Sequence, residues 1–139
     1  MKCVSRVAHI KTLGRGLYDF TADVQAFVSE TGARTGLCSV FVRHTSASLV
    51  IQENADPSVL RDLERWMSNL APEDSSAYEH DAEGPDDMPA HLRSSVTRTS
   101  ETLPIADGRL GLGTWQAVYL WEHRKVPHVR QVVLTIVGV

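Results

Sequence analysis

The sequence predicts an α+β domain: mostly antiparallel strands, two longer helices and one short helix. Three observations lead there. Only two long stretches repeat apolar residues at helical spacing, while most of the rest alternates or runs apolar as strands do. Asp107-Gly108 is a tight-hairpin signature between two apolar runs. A chain of 139 residues, 42% of them hydrophobic, suits a single domain over 1–139 that buries a core without disulfides or a structural metal.

The elements follow in order. Cys3 to Ile10 alternates as a strand, and Gly14 and Gly16 break it. Asp19 to Thr31 reads as a helix with Phe20, Val24, Phe27 and Val28 on one face, stopped by Gly32. Leu37–Val42 and Ser48–Ile51 are strands. The second long helix has Asp56 as N-cap and Pro57 at its first position, an apolar stripe through Val59, Leu63, Trp66 and Leu70, and Pro72 beyond its end. Glu73 to Asp87 is a loop rich in acidic and small residues, long enough to suggest a functional segment. A short helix opens at Pro89 and runs to about Val96. Thr99–Ile105, a central strand Thr114–His123 and a last strand Val129–Val137 complete about six or seven strands.

Composition narrows the function. The 14 basic residues are scattered among 17 acidic ones, for a net charge of -3, so nucleic acid is not an expected partner. No apolar run approaches the ~20 residues of a membrane span, and the first residues lack a secretory core. A cytoplasmic protein without a membrane partner is expected. Cys3 and Cys38 fit no metal motif and are expected as reduced, buried thiols.

Three groups of residues bear chemistry. His80 and His91 bracket several aspartates, Asp81, Asp86 and Asp87, and Asp87 and His91 are four apart at a helix start. Such a set suits a divalent metal, since carboxylates commonly orient imidazole ligands; a solvated acidic loop with capping aspartates is the plainer reading. His44 opens Thr45-Ser46-Ala47-Ser48, whose hydroxyls suit an oxyanion such as phosphate or simply a self-satisfied turn. Glu122 continues the apolar row Val118, Leu120 of the central strand, where a carboxylate needs a partner. Arg124, on the same face by alternation, is one such partner; the alternative is that Glu122 reaches into a site as base or ligand.

In order, the segments His44–Ser48, Glu53-Asn54-Ala55-Asp56-Pro57, His80-Asp81, Gly84–His91, Gly108–Gln116 and Glu122 with Arg124 resemble the YjbQ family across essentially the whole chain. The resemblance implies a β-sandwich-like core, a homotrimer with sites near subunit boundaries, and secondary thiamine-phosphate synthase activity. That reaction joins a pyrimidine diphosphate to a thiazole phosphate and releases pyrophosphate. It implies His44, His80, His91 and Asp86 as ligands of a divalent metal or anion, and His44, Glu122 and Asp87 as catalytic groups. Thr45, Ser46, Ser48 and Arg124 become the phosphate donors for a small phosphorylated substrate. A metal-dependent hydrolase of a phosphorylated small molecule and a non-catalytic metal- or anion-binding trimer are the rival readings. His123 stands where the resemblance leads one to expect a larger apolar residue.

Overall fold

The structure, a computed structural model, describes the backbone of residues 1–139 and all side chains except that of Ser75. In chain order the strands are β1 (Lys2–Thr12), β2 (Gly16–Asp19), β3 (Gly36–Val42), β4 (Ala47–Glu53), β5 (Ser100–Ala106), β6 (Arg109–Leu110), β7 (Gln116–Glu122) and β8 (His128–Gly138). The helices are α1 (Thr21–Thr31), α2 (Pro57–Leu70) and α3 (Asp87–Ser95). A five-stranded sheet runs β1-β8-β3-β5-β6 and a three-stranded sheet runs β2-β7-β4. Every strand pairing is antiparallel. Among the described residues no helix is long and apolar enough to cross a membrane.

Alternation sorts the strand residues onto two faces. Val40, Val132 and Leu134 of the larger sheet meet Leu49, Val118 and Leu120 of the smaller one in one core, closed by Val24, Phe27 and Val28 of α1. Burying side chains of this size stabilises by roughly 1.5–3 kcal/mol each. The opposite face of β7 lies under α2 and α3: Trp121 Nε1 donates to Glu64 of α2 at 2.7 Å, and the Trp121 and His123 rings are 5.6 Å apart. Neighbouring residues Glu122 and His123 therefore point to opposite sides of the smaller sheet.

The helix signals act locally as expected. Asp56 Oδ1 accepts from Ser58 N at 2.9 Å, and Gly32 takes a left-handed φ of 71° to end α1. Three expectations need correction. The stretch after Gly14 forms a short strand, β2, paired with β7, so there are more strands than expected. Helix α3 begins at Asp87 rather than Pro89, because Gly84 makes a turn with φ 102° and its carbonyl accepts from Asp87 N. Cys3 is exposed, because β1 is an edge strand and Cys3 sits opposite Val137 on the outer face of its sheet; Cys38 is buried as expected. On the inner side of β1, Arg6 pairs with Glu30 and lies 4.8 Å over the Phe27 ring, while Lys2 Nζ donates to the Thr31 carbonyl at the end of α1.

Candidate metal centre

The turn at Gly84 and the first turn of α3 bring four side chains together. His80 Nε2 lies 2.6 Å from Asp87 Oδ2, and His91 Nε2, one turn along α3, lies 3.2 Å from the same oxygen. Glu83 Oε2 is 3.5 Å from His80 Nε2. One nitrogen or oxygen from each of His80, Glu83, Asp87 and His91 lies within 4.8 Å of the other three. Donors about 2.0–2.2 Å from a shared ion sit roughly 3–4 Å from one another, so this set fits a transition-metal ion with only small side-chain adjustments. Two imidazoles with two carboxylates is a donor chemistry shared by zinc, manganese, iron and nickel sites.

Asp87 is only 3% exposed, and a carboxylate buried that far needs compensating donors. Arg124, just beyond β7, provides them. Its Nη1 donates to Asp87 Oδ1 at 2.5 Å, its Nε to Asp86 Oδ2 at 3.0 Å and its Nη2 to the Glu83 carbonyl at 3.0 Å. Asp86 Oδ2 also accepts from Lys125 N at 2.9 Å. Burial pushes both aspartates up. The hydrogen bonds and the Arg124 charge outweigh it and hold both below the usual carboxylate range. His80 is held above its ordinary value, chiefly by its hydrogen bond to Asp87.

Two residues back along the chain is a different cluster. Glu122, fully buried, receives Thr12 Oγ1 and Arg130 Nε on Oε1, each at 2.7 Å, and Arg130 Nη2 with Arg124 N on Oε2. Burial raises it, but these donors, Arg130 first, hold it ionised and below its usual range. Arg130 Nη2 also reaches Ser46 Oγ at 3.0 Å. Beside it, His44 Nε2 accepts from Gln131 N at 2.8 Å, so the ring is neutral there and keeps its proton on Nδ1; burial, then the charge of Arg130, lowers its affinity for a second proton. His44, Thr45 and Ser46 line a surface groove of about 530 Å³ with Arg43 and Thr99.

On the helix side, Ser48 Oγ and His123 Nε2 are 2.8 Å apart, both fully buried. His123 Nδ1 and Arg93 Nε are buried without partners among the described residues. Burial, then the charges of Arg93, Arg130 and Arg15, push His123 down to about 3, so it is neutral at ordinary pH. The direction of the Ser48–His123 hydrogen bond follows the imidazole tautomer. The pair is a buried hydrogen bond in the wall between sheet and helices rather than a nucleophile with its base.

Residues 6–139 match the family described as UPF0047 protein YjbQ-like. The chain belongs to the YjbQ family. It is 59% identical over 129 residues to the UPF0047 protein sll1880 of Synechocystis sp., covering 93% of this chain and 88% of that one. It is 50% identical over 104 residues to the UPF0047 protein YjbQ of Salmonella typhimurium, covering 75% of each. Among solved structures, a YjbQ/UPF0047 protein of Clostridium acetobutylicum superposes with a TM-score of 0.87 at 34% identity, over 95% of this chain and 99% of that one. A conserved hypothetical protein of Thermus thermophilus gives 0.85 at 36% identity, with the same coverage.

Within this YjbQ-family fold, the residues singled out in the sequence divide into several places. His80, His91 and Asp87 converge. Asp86 stands beside them but turns both its recorded bonds to Arg124 and Lys125, and the four-donor group excludes it. His44 lies in the other cluster with Thr45 and Ser46, and Ser48 is sealed against His123. Arg124 is committed to Asp86 and Asp87, because the strand ends at Glu122 and the alternation that put the two side chains on one face ends with it. Glu122 instead takes Arg130, its counterpart on the inner face of β8. Two participants went unnoticed, Glu83 and Arg130. Arg130 was visible as a charge alternating with the apolar row Val132, Leu134 and Ile136, the same signal that exposed Glu122. Glu83 carried a spacing signal, three after His80 and four before Asp87.

Proposed function

We propose that the chain is a metal-dependent enzyme for phosphorylated small molecules, with thiamine-phosphate synthesis as its reaction. The observation that carries this reading is the convergence of His80, Glu83, Asp87 and His91 on one ion-sized space beside the loop that Arg124 pins. In the reaction the thiazole nitrogen forms a bond to the pyrimidine methylene carbon. The bond from that carbon to the diphosphate oxygen breaks, and pyrophosphate leaves with the electron pair. A bound divalent cation supplies neutralising charge for the departing diphosphate. Water-facing donors of the second cluster, Arg43, Thr45 and the Nδ1–H of His44, suit the remaining phosphate. Glu122, with donors on both oxygens, serves as the anchor that holds Arg130 and the Arg124 backbone rather than as a base.

We propose the homotrimer as well. Leu37, Phe41, Val129 and Val137 stand exposed on the outer face of the five-stranded sheet, with Leu37 opposite Val137 and Phe41 opposite Val133 in register. An apolar sheet face of this kind suits another copy of the chain.

The test uses protein purified without a histidine tag. Metal analysis is expected to find a stoichiometric divalent ion. Pyrophosphate release is expected to need both the pyrimidine diphosphate and the thiazole phosphate and to fail in His80→Ala and His91→Ala. Phosphate or pyrophosphate released from the diphosphate alone would replace the synthase with a hydrolase. A protein that neither holds nor takes up metal overturns the reading. Light scattering that gives a monomer mass overturns the trimer.

A further inference from the structure

We infer that Arg124 is a positioning residue that restricts Asp87 to one metal-binding oxygen and so keeps a coordination position open for substrate. The inference rests on the metal reading above and goes beyond it. The two oxygens of Asp87 face different partners: Oδ1 receives Arg124 Nη1 at 2.5 Å, while Oδ2 lies 2.6 Å from His80 Nε2 and 3.2 Å from His91 Nε2. A carboxylate chelates an ion only when both oxygens turn to it, and Arg124 occupies the first.

The guanidinium cannot swing away cheaply. Its Nε and Nη2 are bonded to Asp86 and to the Glu83 carbonyl, and Asp86 is tied in turn to the Lys125 amide. One planar group thereby fixes three points of the loop from Glu83 to Asp87, a geometry that a point charge does not reproduce. The backbone amide of Arg124 is itself held by buried Glu122, so the clamp is referenced to the core and not to the loop it grips. With Asp87 monodentate, two imidazoles and two single carboxylate oxygens make four donors, which leaves positions open in the shell of an octahedral ion such as manganese, and a second Asp87 oxygen would fill one of them. Groups in this position commonly change metal affinity 10–100-fold when removed.

The experiment compares wild type, Arg124→Gln and Arg124→Lys, all made metal-free and then titrated with Zn²⁺ against a chromophoric chelator and with Co²⁺ in the visible spectrum. Arg124→Gln is expected to bind Zn²⁺ about 10–100-fold more weakly. Its Co²⁺ spectrum is expected to lose intensity as the second Asp87 oxygen enters the shell, since Co²⁺ with fewer ligands absorbs more strongly than six-coordinate Co²⁺. Arg124→Lys is expected to fall between, and it carries the test alone if Arg124→Gln does not fold. The metal-free melting temperature separates a loss of metal from a loss of fold. Wild type that binds Zn²⁺ alongside variants with unchanged affinity and an unchanged Co²⁺ spectrum overturns the role of Arg124 and leaves the metal centre standing. Wild type that binds neither ion overturns the metal centre itself.

Discussion

Glu122 and Arg124 are two residues apart at the end of β7, and each takes part in a carboxylate–guanidinium pair, yet the two pairs do opposite things. Glu122 with Arg130 is enclosed between the sheets, and Thr12 and a backbone amide fill the oxygens that the arginine leaves. Asp87 with Arg124 is buried beneath two part-exposed imidazoles at the protein surface, and the arginine satisfies only one oxygen while the imidazoles share the other. The same chemistry is structural where every lone pair has a donor, and available for a ligand where one oxygen is left to groups that can release it. Completeness of hydrogen bonding, rather than burial alone, separates the anchor from the site.

Breaking the enclosed pair is expected to have the largest effect. Glu122→Gln leaves Arg130 charged and without its counter-ion in the core, and should cost about 3–5 kcal/mol in chemical denaturation. Zn²⁺ affinity of the fraction that remains folded should stay within about twofold, because the amide oxygen of the substituted side chain can still accept from the Arg124 backbone N–H and leave the clamp in place. Parallel losses of affinity and stability would show that the clusters are one unit.

A smaller effect concerns His123, just beyond the end of β7 and buried on the helix side of the sheet. Its neutral form is favoured in the fold and its proton affinity is depressed to about 3. An unfolded chain takes up a proton below the ordinary value near 6.5. Its contribution to stability is thus full above that value and is lost as pH falls towards 3, at no more than about 1.4 kcal/mol per pH unit. His123→Leu should flatten that part of the curve of unfolding free energy against pH. An unchanged slope would mean that the ring is charged or solvated in the native state.

The smallest expected effect sharpens the surface half of the comparison. Asp87 raises the proton affinity of His80, so a proton competes with the ion. Below the raised value, Zn²⁺ affinity should climb by up to about tenfold per pH unit and then level off above it. His80→Gln, read by the same chelator titration at several pH values, should bind more weakly and with a shallower dependence. A dependence as steep as in wild type would place the competing proton on another ligand.

Much of this arrangement is legible in the sequence where the interactions are local. Asp56-Pro57 marks the start of α2, the row Val118, Leu120, Glu122 marks the inner face of β7, and the four-residue spacing of Asp87 and His91 puts both on one side of α3. What could not be read depends on where strands end and on pairings far apart in the chain. Arg124 finds Asp86 only because the regular alternation stops at Glu122. His44 parts from His80 because its strand delivers it to the amide of Gln131 in β8, a partner that local spacing does not encode. Ser48 looks like an available hydroxyl until β4 pairs with β7 and turns it towards His123.

The larger sheet has one very short edge, the two-residue β6, and one long edge, the eleven residues of β1. Long open edges recruit strands from other molecules, and charged side chains turned inward are one natural defence. Arg6 and Lys2, tied to Glu30 and to the end of α1, put two cations along the inner side of that edge. An incoming strand would have to bury them against its own apolar side chains. The rim of β1 thereby carries its own obstacle to edge-to-edge strand pairing.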